Sequence, residues 1–200
     1  MTTVQVVVDI ACAHSYVGVT RLARAVERRR AAGETVEVSF LPFQLAPHAS
    51  GAATPLLEAL KRHLGPGARE GAARMAADAA ADGLTLDYER ALATNTFEAH
   101  RLIALAAAQG LQEEMTERLF RAHFTDGLHI GDPATLAALA AEVGVTFSDA
   151  GREELEAVLD RVRSLGVRGV PVFFFGDGTV LSGSQSEQVL DAALAGNAAS

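Results

Sequence analysis

Cysteine, tryptophan and long apolar runs are scarce or absent. The 200 residues include one cysteine, no tryptophan and two tyrosines. Because one cysteine cannot form an intramolecular disulfide, a disulfide-stapled scaffold is excluded, and any redox chemistry within this chain uses a single thiol. No apolar run approaches the roughly 20 residues that span a bilayer, and no basic segment precedes an apolar one at the N-terminus. We therefore expect a cytoplasmic protein with no membrane partner.

Positive charge and metal-ligand spacing are also lacking. The sequence has 17 Lys and Arg residues and 25 Asp and Glu residues, so its formal net charge is −8. A nucleic-acid partner is therefore not expected. The one basic cluster, Arg28 to Arg30, is typical of the last turn of a helix. The sequence predicts no metal site, since one cysteine and scattered histidines do not form a ligand pattern: His48, His63, His123 and His129.

The N-terminal residues have the pattern of a βαβ unit. An apolar strand at Val4 to Val8 is followed by a helix with one apolar face, which Gly33 ends. Thr35 to Leu41 alternates as a second strand and ends at Pro42, so the two strands are predicted to be parallel.

The middle of the sequence is helical and the C-terminal part has strands again. Helices are predicted over Pro55–Leu64 with Thr54 as cap, Ala68–Ala81, Asn95–Gln109 with Asn95 and Glu98 as a capping box, Leu111–Phe124, a segment capped by Asp132, and Ser148 or Asp149 to Leu165. A hairpin at Val172–Phe175 and Thr179–Ser182 and a helix at Glu187–Leu194 follow. We expect an α/β fold with a mixed sheet, formed by residues 1–45 and 166–200, with an inserted all-helical domain at 46–165.

Cys12 lies where the first strand meets the first helix. Unpaired backbone N–H groups and the positive end of the helix dipole favour an anion there, so we expect a thiolate. His14 can tune the pKa of this thiol, and Ser15 can donate a hydrogen bond to it. The alternative is that Cys12 is a small buried residue that serves only packing.

Four segments resemble the DsbA-like branch of the thioredoxin superfamily, and its FrnE-like members in particular. They are Asp9–Gly18, which contains Cys12-Ala13-His14-Ser15, then Asn95–Leu102, Leu119–Asp132 and Gly169–Phe173. The resemblance implies a thioredoxin-like fold and a cis peptide bond before Pro171, next to Cys12. It also implies that the Val170 backbone pairs with an extended substrate. Substrate contacts are further assigned to Tyr16, Asn95 and His100.

The sequence departs from this family at the second cysteine. Most redox-active relatives have Cys-Pro-X-Cys, whereas Ser15 occupies the fourth position here. The leading hypothesis is therefore a monothiol thiol-disulfide oxidoreductase that acts on disulfide-containing proteins or small thiols, with glutathione or another small thiol as co-reactant and no tightly bound cofactor. The chain is expected to be a monomer or a homodimer.

Two other functions stay open. Ser15 and Tyr16 are similar to the Ser-X-X-Ser-Tyr turn of 2-hydroxychromene-2-carboxylate isomerases and kappa-class glutathione transferases. In these glutathione-dependent relatives a serine replaces Cys12. The second alternative is a redox-inert binding module or chaperone, because the resolving cysteine is missing.

Overall fold

The computed structural model describes residues 1–196, which form helices and strands in mixed order. The strands β1 to β6 are Thr2–Val8, Val36–Pro42, Thr54–Pro55, Leu92–Ala93, Val172–Phe175 and Val180–Ser182. The helices α1 to α8 are Ala13–Ala31, Leu56–Leu64, Ala68–Ala81, Phe97–Ala107, Gln112–Phe124, Pro133–Val143, Arg152–Ser164 and Glu187–Leu194. Over this described range, no helix combines the length and the apolar character needed to cross a bilayer.

The main sheet has four strands in the order β2-β1-β5-β6. β1 and β2 are parallel, with Thr2 opposite Val36, whereas β1–β5 and β5–β6 are antiparallel. Three successive valines at the end of β1, Val6 to Val8, are fully buried, as expected of a central strand covered on both faces. The predicted mixed α/β fold with βαβ and ββα halves is confirmed.

The chain forms two compact units. The first consists of Met1–Phe43 and the chain from Glu153 onward, and the second is Gln44–Arg152. The second boundary therefore lies 13 residues before the expected one at 166, and almost all of α7 belongs with the sheet. The reason is packing, because Val162 of α7 is buried in one cluster with Val7 and Val172. The last four residues of the predicted first domain, 197–200, lie outside the described residues.

The second unit contains α2 to α6 and a short antiparallel pair, β3–β4, in which Thr54 lies opposite Ala93. The prediction that this unit is purely helical is thus wrong in this one detail. Thr54 is not the cap of α2 either. Pro55 occupies the N-cap position, and its side chain has no polar atom that could cap the helix, while Thr54 lies in the strand pair. At α6, by contrast, the Asp132 cap is confirmed, with Oδ2 accepting from the Thr135 N–H at 2.8 Å.

The predicted capping box on α4 does not form. Asn95 Oδ1 accepts from the Phe97 N–H at 2.9 Å, but the Asn95 N–H donates to the Ser50 carbonyl at 3.1 Å. Glu98 does not turn back toward Asn95, because its carboxylate binds the guanidinium groups of Arg101 and Arg152. Charge-assisted hydrogen bonds to two guanidinium groups stabilise the Glu98 carboxylate more than one hydrogen bond from the Asn95 N–H would.

α7 begins at Arg152, after the predicted start at Ser148 or Asp149. The Ser148 and Ala150 carbonyls accept hydrogen bonds from the Arg101 guanidinium, which also lies over the Phe147 ring at 5.4 Å. The Arg101 guanidinium therefore holds the segment before α7 in a non-helical conformation. N-cap preferences do not predict this interaction, because Arg101 is distant from the segment in sequence.

The basic cluster at the end of α1 binds α8. Arg29 donates to both Asp191 carboxylate oxygens at 3.2 Å and to the Asp191 carbonyl at 3.0 Å. Arg28 pairs with Glu187 at the start of the same helix. The side chain of Arg29 is 15% exposed and that of Arg28 is 52% exposed, so solvent screens the Arg29 interactions less. The cluster thus has structural partners at the end of α1, where its charge also suits the helix dipole.

Replacing Arg29 by alanine should lower the free energy of unfolding by about 1–2 kcal/mol, because several charge-assisted hydrogen bonds to Asp191 are lost together. The matched control is Arg28→Ala, one residue away on the exposed side, which should cost less than about 1 kcal/mol. Urea denaturation of both variants measures the difference, and equal losses would contradict the assigned role of Arg29.

Candidate active site

The active-site turn joins the end of β1 to the start of α1. The Cys12 N–H donates to the Asp9 carbonyl at 2.9 Å, and the Ala11 N–H donates to Asp9 Oδ1 at 3.2 Å. Cys12 is the N-cap residue of α1, with extended backbone angles, φ −101° and ψ 111°. The predicted position of Cys12 is therefore confirmed: a buried strand delivers it to the first turn of a helix.

The Cys12 sulfur faces the segment before β5. The residue is 8% exposed, and Sγ donates to the Val170 carbonyl oxygen at 3.5 Å. The Val170–Pro171 peptide bond is cis, as the resemblance implies. The Pro171 carbonyl accepts from the Gly183 N–H at 2.8 Å, which ties this segment to the end of β6. Cys12, Val170 and Pro171 thus form one site within the first compact unit.

The surroundings of Cys12 in the protein without a ligand oppose the expected thiolate. Burial raises the pKa of the Cys12 thiol, and the negative charge of Asp9 raises it further. The Ser15 hydroxyl and the backbone N–H groups of Ser15 and His14 lower this pKa, but by less than burial and Asp9 together raise it. Lost hydration and the nearby Asp9 charge therefore disfavour the thiolate more than the donors at the start of the helix favour it.

Ser15 places an unused hydroxyl beside the sulfur. The residue is 0% exposed, and its Oγ has no hydrogen-bond partner of normal geometry among the described residues. It nevertheless lies close enough to Cys12 to favour the thiolate form. Since a buried hydroxyl without a partner costs free energy, this group is set to donate once the sulfur becomes charged.

His14 and Tyr16 differ in their surroundings. The His14 side chain is exposed, and it is the backbone N–H of His14 that acts on the thiol. The contacts of Cys12 therefore do not support the predicted tuning of its pKa by the His14 imidazole. Tyr16 is buried, with its N–H donating to the Cys12 carbonyl at 3.1 Å as part of the first helical turn.

Asn95 and His100 belong to the other compact unit. The Asn95 side chain uses its whole hydrogen-bonding capacity: Oδ1 accepts from Phe97 N–H and Gln44 Nε2, and Nδ2 donates to the Pro47 and Ala49 carbonyls. It therefore shapes the Gln44–Ser50 segment and has no group left for a substrate. His100 is 2% exposed, in the first turn and a half of α4. In neither unit do the described residues bring three His, Cys, Asp or Glu side chains together as metal ligands.

Gly18 is a positioning residue that the sequence reasoning missed. A Cβ at Gly18 would lie 3.0 Å from Pro171 Cγ and 3.2 Å from Phe173 Cζ, so these two side chains would have to move by a few tenths of an ångström. The absence of a side chain thus lets α1 approach the segment that carries the Val170 carbonyl. A glycine inside a helix costs about 1 kcal/mol relative to alanine, which was the available signal of a packing requirement.

Comparison with protein families agrees with this geometry. A family model described as DSBA-like thioredoxin domain matches residues 3–195. The chain belongs to this DsbA-like family. The resemblance to the DsbA-like branch is confirmed, and the chain is placed among DsbA-like thiol-disulfide oxidoreductases and isomerases.

Solved structures share the DsbA-like fold over nearly the whole chain. The probable DsbA oxidoreductase SCO1869 from Streptomyces coelicolor is 28% identical, with a TM-score of 0.87 over 98% of this chain and 90% of that chain. The cytosolic disulfide reductase DsbM from Pseudomonas aeruginosa, solved with GSH, is 24% identical, with a TM-score of 0.66 over 97% and 98%. A 2-hydroxychromene-2-carboxylate isomerase is 18% identical, with a TM-score of 0.72 over 96% and 94%. The last two show a common fold.

Gly18→Ala should destabilise the DsbA-like domain by about 1–3 kcal/mol, because the added methyl group collides with Pro171 and Phe173. The matched control is Gly71→Ala in α3, where the nearest atom to a new Cβ is the end of a flexible arginine side chain at 3.9 Å. That change should stabilise by about 0.5–1 kcal/mol. Thermal or urea unfolding tests both, and a neutral or stabilising Gly18→Ala would contradict the close approach.

The Cys12 thiol should titrate above the ordinary cysteine pKa of about 8.5, and Ser15→Ala should raise its pKa further. Thiolate absorbance at 240 nm, with Cys12→Ala as the blank, measures both values. Because the folded pKa lies above the unfolded one, the denatured thiol ionises first as pH rises. Stability relative to Cys12→Ser should therefore fall above about pH 8.5. A wild-type pKa below the ordinary value would contradict this account.

Proposed function

We propose that this DsbA-like protein is a cytoplasmic thiol-disulfide oxidoreductase that uses Cys12 as its single nucleophile and a low-molecular-weight thiol as co-reactant. The observation that carries the proposal is the contact of Cys12 Sγ with the Val170 carbonyl, beside Pro171. This contact places the thiol against a backbone segment that can hold an extended substrate. Cytoplasmic location fits a chain whose one cysteine functions as a free thiol, since reducing compartments preserve free thiols.

The reaction has two exchange steps. In the first, the Cys12 thiolate attacks one sulfur of a substrate disulfide, forms a mixed disulfide with it, and releases the other sulfur as a thiolate. In the second, the thiolate of a small thiol attacks the substrate sulfur, which forms a new disulfide and returns Cys12 as thiolate. Ser15 cannot perform this second step, because a hydroxyl is not a resolving thiol. The two electrons therefore come from the external thiol.

The residues around Cys12 divide the work of this exchange. The Ser15 hydroxyl donates to the Cys12 sulfur whenever it is charged, as attacking group and as leaving group. The Val170 backbone aligns the substrate, and Pro171 fixes the direction of that backbone. Glutathione is our first choice of co-reactant, because DsbM, which shares this fold, was solved with it.

A glutathione-dependent isomerase is the second candidate. The buried Ser15 hydroxyl without a partner favours it, since this group could equally donate to the thiolate of a bound glutathione. In that reaction the sulfur of the ligand is the nucleophile and Cys12 is replaceable. The two candidates thus differ in which sulfur atom attacks.

Wild-type protein incubated with glutathione disulfide should gain the mass of one glutathione, because Cys12 attacks and no internal thiol displaces the product. Free glutathione added afterwards should restore the original mass. Intact-mass spectrometry follows both steps, with Cys12→Ala as the unreactive control. A wild-type protein that stays unmodified over a pH series extending above the pKa measured for Cys12 would contradict the oxidoreductase assignment.

Ser15→Cys should convert the site to a dithiol. The new thiol occupies the position of the Ser15 hydroxyl beside Cys12, so mild oxidation should close an internal disulfide, seen as the loss of two hydrogens and of all free thiol. The glutathione adduct should then be short-lived, because the introduced thiol displaces glutathione from Cys12. The control Ser15→Ala, which has no thiol at this position, should leave the adduct stable. Failure of the internal disulfide to form would show that the proposed geometry is wrong.

A further inference from the structure

The resting thiol and the substrate-binding carbonyl are hydrogen-bonded to each other. Cys12 Sγ donates to the Val170 carbonyl oxygen at 3.5 Å. Val170 itself is half-buried and follows the exposed Arg168 and Gly169, so its backbone lies next to the surface. The same oxygen that would accept a hydrogen bond from an extended ligand therefore accepts the thiol proton when no ligand is bound.

We infer that the Val170 carbonyl holds the proton on Cys12, and that a ligand whose backbone amide N–H donates to this carbonyl releases the proton and turns the thiol into the attacking thiolate. The inference deepens the proposed function and rests on it. It specifies the ligand class as a disulfide or thiol with an amide N–H beside the sulfur-bearing carbon, such as a peptide. It also makes the nucleophile conditional on the presence of that ligand.

The Val170 carbonyl forms a stronger hydrogen bond with the amide N–H of a ligand than with the Cys12 thiol. A thiol is a weak hydrogen-bond donor, and the 3.5 Å contact is long, whereas an amide N–H is a strong donor. An amide that takes this oxygen weakens or displaces the S–H bond, and the protonated form of Cys12 loses the acceptor that stabilised it. The thiolate form loses nothing, because it has no proton to donate. Ligand binding therefore shifts the equilibrium toward thiolate, and the proton passes to solvent.

The neighbouring donors are arranged for the charged product. The Ser15 hydroxyl is fully buried and has no partner of normal geometry in the described part of the chain, and the backbone N–H groups of His14 and Ser15 also favour a charged sulfur. These donors interact only weakly with the sulfur while Cys12 is protonated. The charged or titratable residues of this unit that lie closest in sequence to Cys12 or Val170 are Asp9, which is buried and opposes the thiolate, the exposed His14, the buried Tyr16 and the exposed Arg168.

An unreactive amide ligand tests the inference directly. N-acetyl-S-methylcysteine N-methylamide carries two amide N–H groups and a methylated sulfur, so it can bind but cannot exchange. Thiolate absorbance at 240 nm, corrected with Cys12→Ala, is titrated with and without saturating probe. We expect the probe to raise the thiolate fraction at a fixed pH below the midpoint roughly three- to tenfold, as the loss of one modest hydrogen bond would do. Because the chain has one cysteine, the difference from Cys12→Ala reports a single thiol, and the same subtraction removes the absorbance of the two tyrosines.

The matched control ligand is the same molecule with both amide nitrogens methylated, which removes the N–H donors and should leave the thiolate fraction unchanged. Binding is followed separately by the rise of Tm with probe concentration. A probe that raises Tm without moving the titration overturns the inference, as does an equal shift with the methylated analogue. A probe that does not bind at all overturns it too, because the ligand class is then wrong.

Failure of the inference and failure of the proposed function give different results. If the titration does not move but glutathione disulfide still adds to Cys12, the oxidoreductase stands without ligand gating. If the titration moves but no mixed disulfide forms, the gated thiol serves another reaction. Ser15→Ala provides an internal check: the shift on binding should persist from a higher starting pKa, since the carbonyl is unchanged and only the donor to the thiolate is lost.

Discussion

The chemistry of the candidate site depends on the contact between the buried Cys12 thiol and the Val170 backbone carbonyl. β1 and β5 are neighbours in the sheet. The active-site turn follows β1, and the segment that contains Pro171 leads into β5. Antiparallel pairing of Val7 with Val172 brings these two ends to the same edge of the sheet. Gly18 then allows α1 to lie close against Pro171. The Cys12–Val170 distance is thus a consequence of the strand register and of one missing side chain.

This arrangement gives the thiol a chemistry unlike that expected of a helix N-terminus. The dipole and the N–H groups of the first turn favour a charged sulfur, yet burial and Asp9 outweigh them, and the Val170 carbonyl accepts the proton. A nucleophile that is protonated when no ligand is bound is protected from oxidation and from random disulfides. For a protein with one cysteine and no resolving partner such protection has a clear use, since an unwanted adduct could be removed only by another molecule.

The sequence predicted much of the fold and less of the site. Periodicity and caps located β1, α1, α3, α6 and the final hairpin, because these elements depend on local patterns of apolar residues, glycine and proline. Cys12, Val170 and Pro171 were assigned to one site through a resemblance that covered most of the chain. Local patterns do not predict contacts between residues that are distant in sequence. Because Arg101 forms hydrogen bonds with the segment before α7, that helix begins later than predicted. Glu98 binds two arginines and so does not form the predicted capping box.

Two misjudgements at the site have the same physical origin. The thiolate expectation considered the helix start but not burial, which depends on how distant segments pack around Cys12. Asn95 was assigned to substrate because its motif resembled one of the family, whereas its amide is fully used within its own unit. Gly18 was missed because only the position of Pro171 shows why a side chain is forbidden there.

The central claim is that the sulfur of Cys12, and not that of a bound small thiol, attacks the substrate. The most direct measurement is steady-state reduction of a peptide mixed disulfide by glutathione, comparing the wild type with Cys12→Ser. The account predicts that turnover above the uncatalysed rate disappears in Cys12→Ser, because a serine hydroxyl does not exchange with disulfides. Turnover that persists in Cys12→Ser would contradict it and would show that the turn activates the thiol of the ligand.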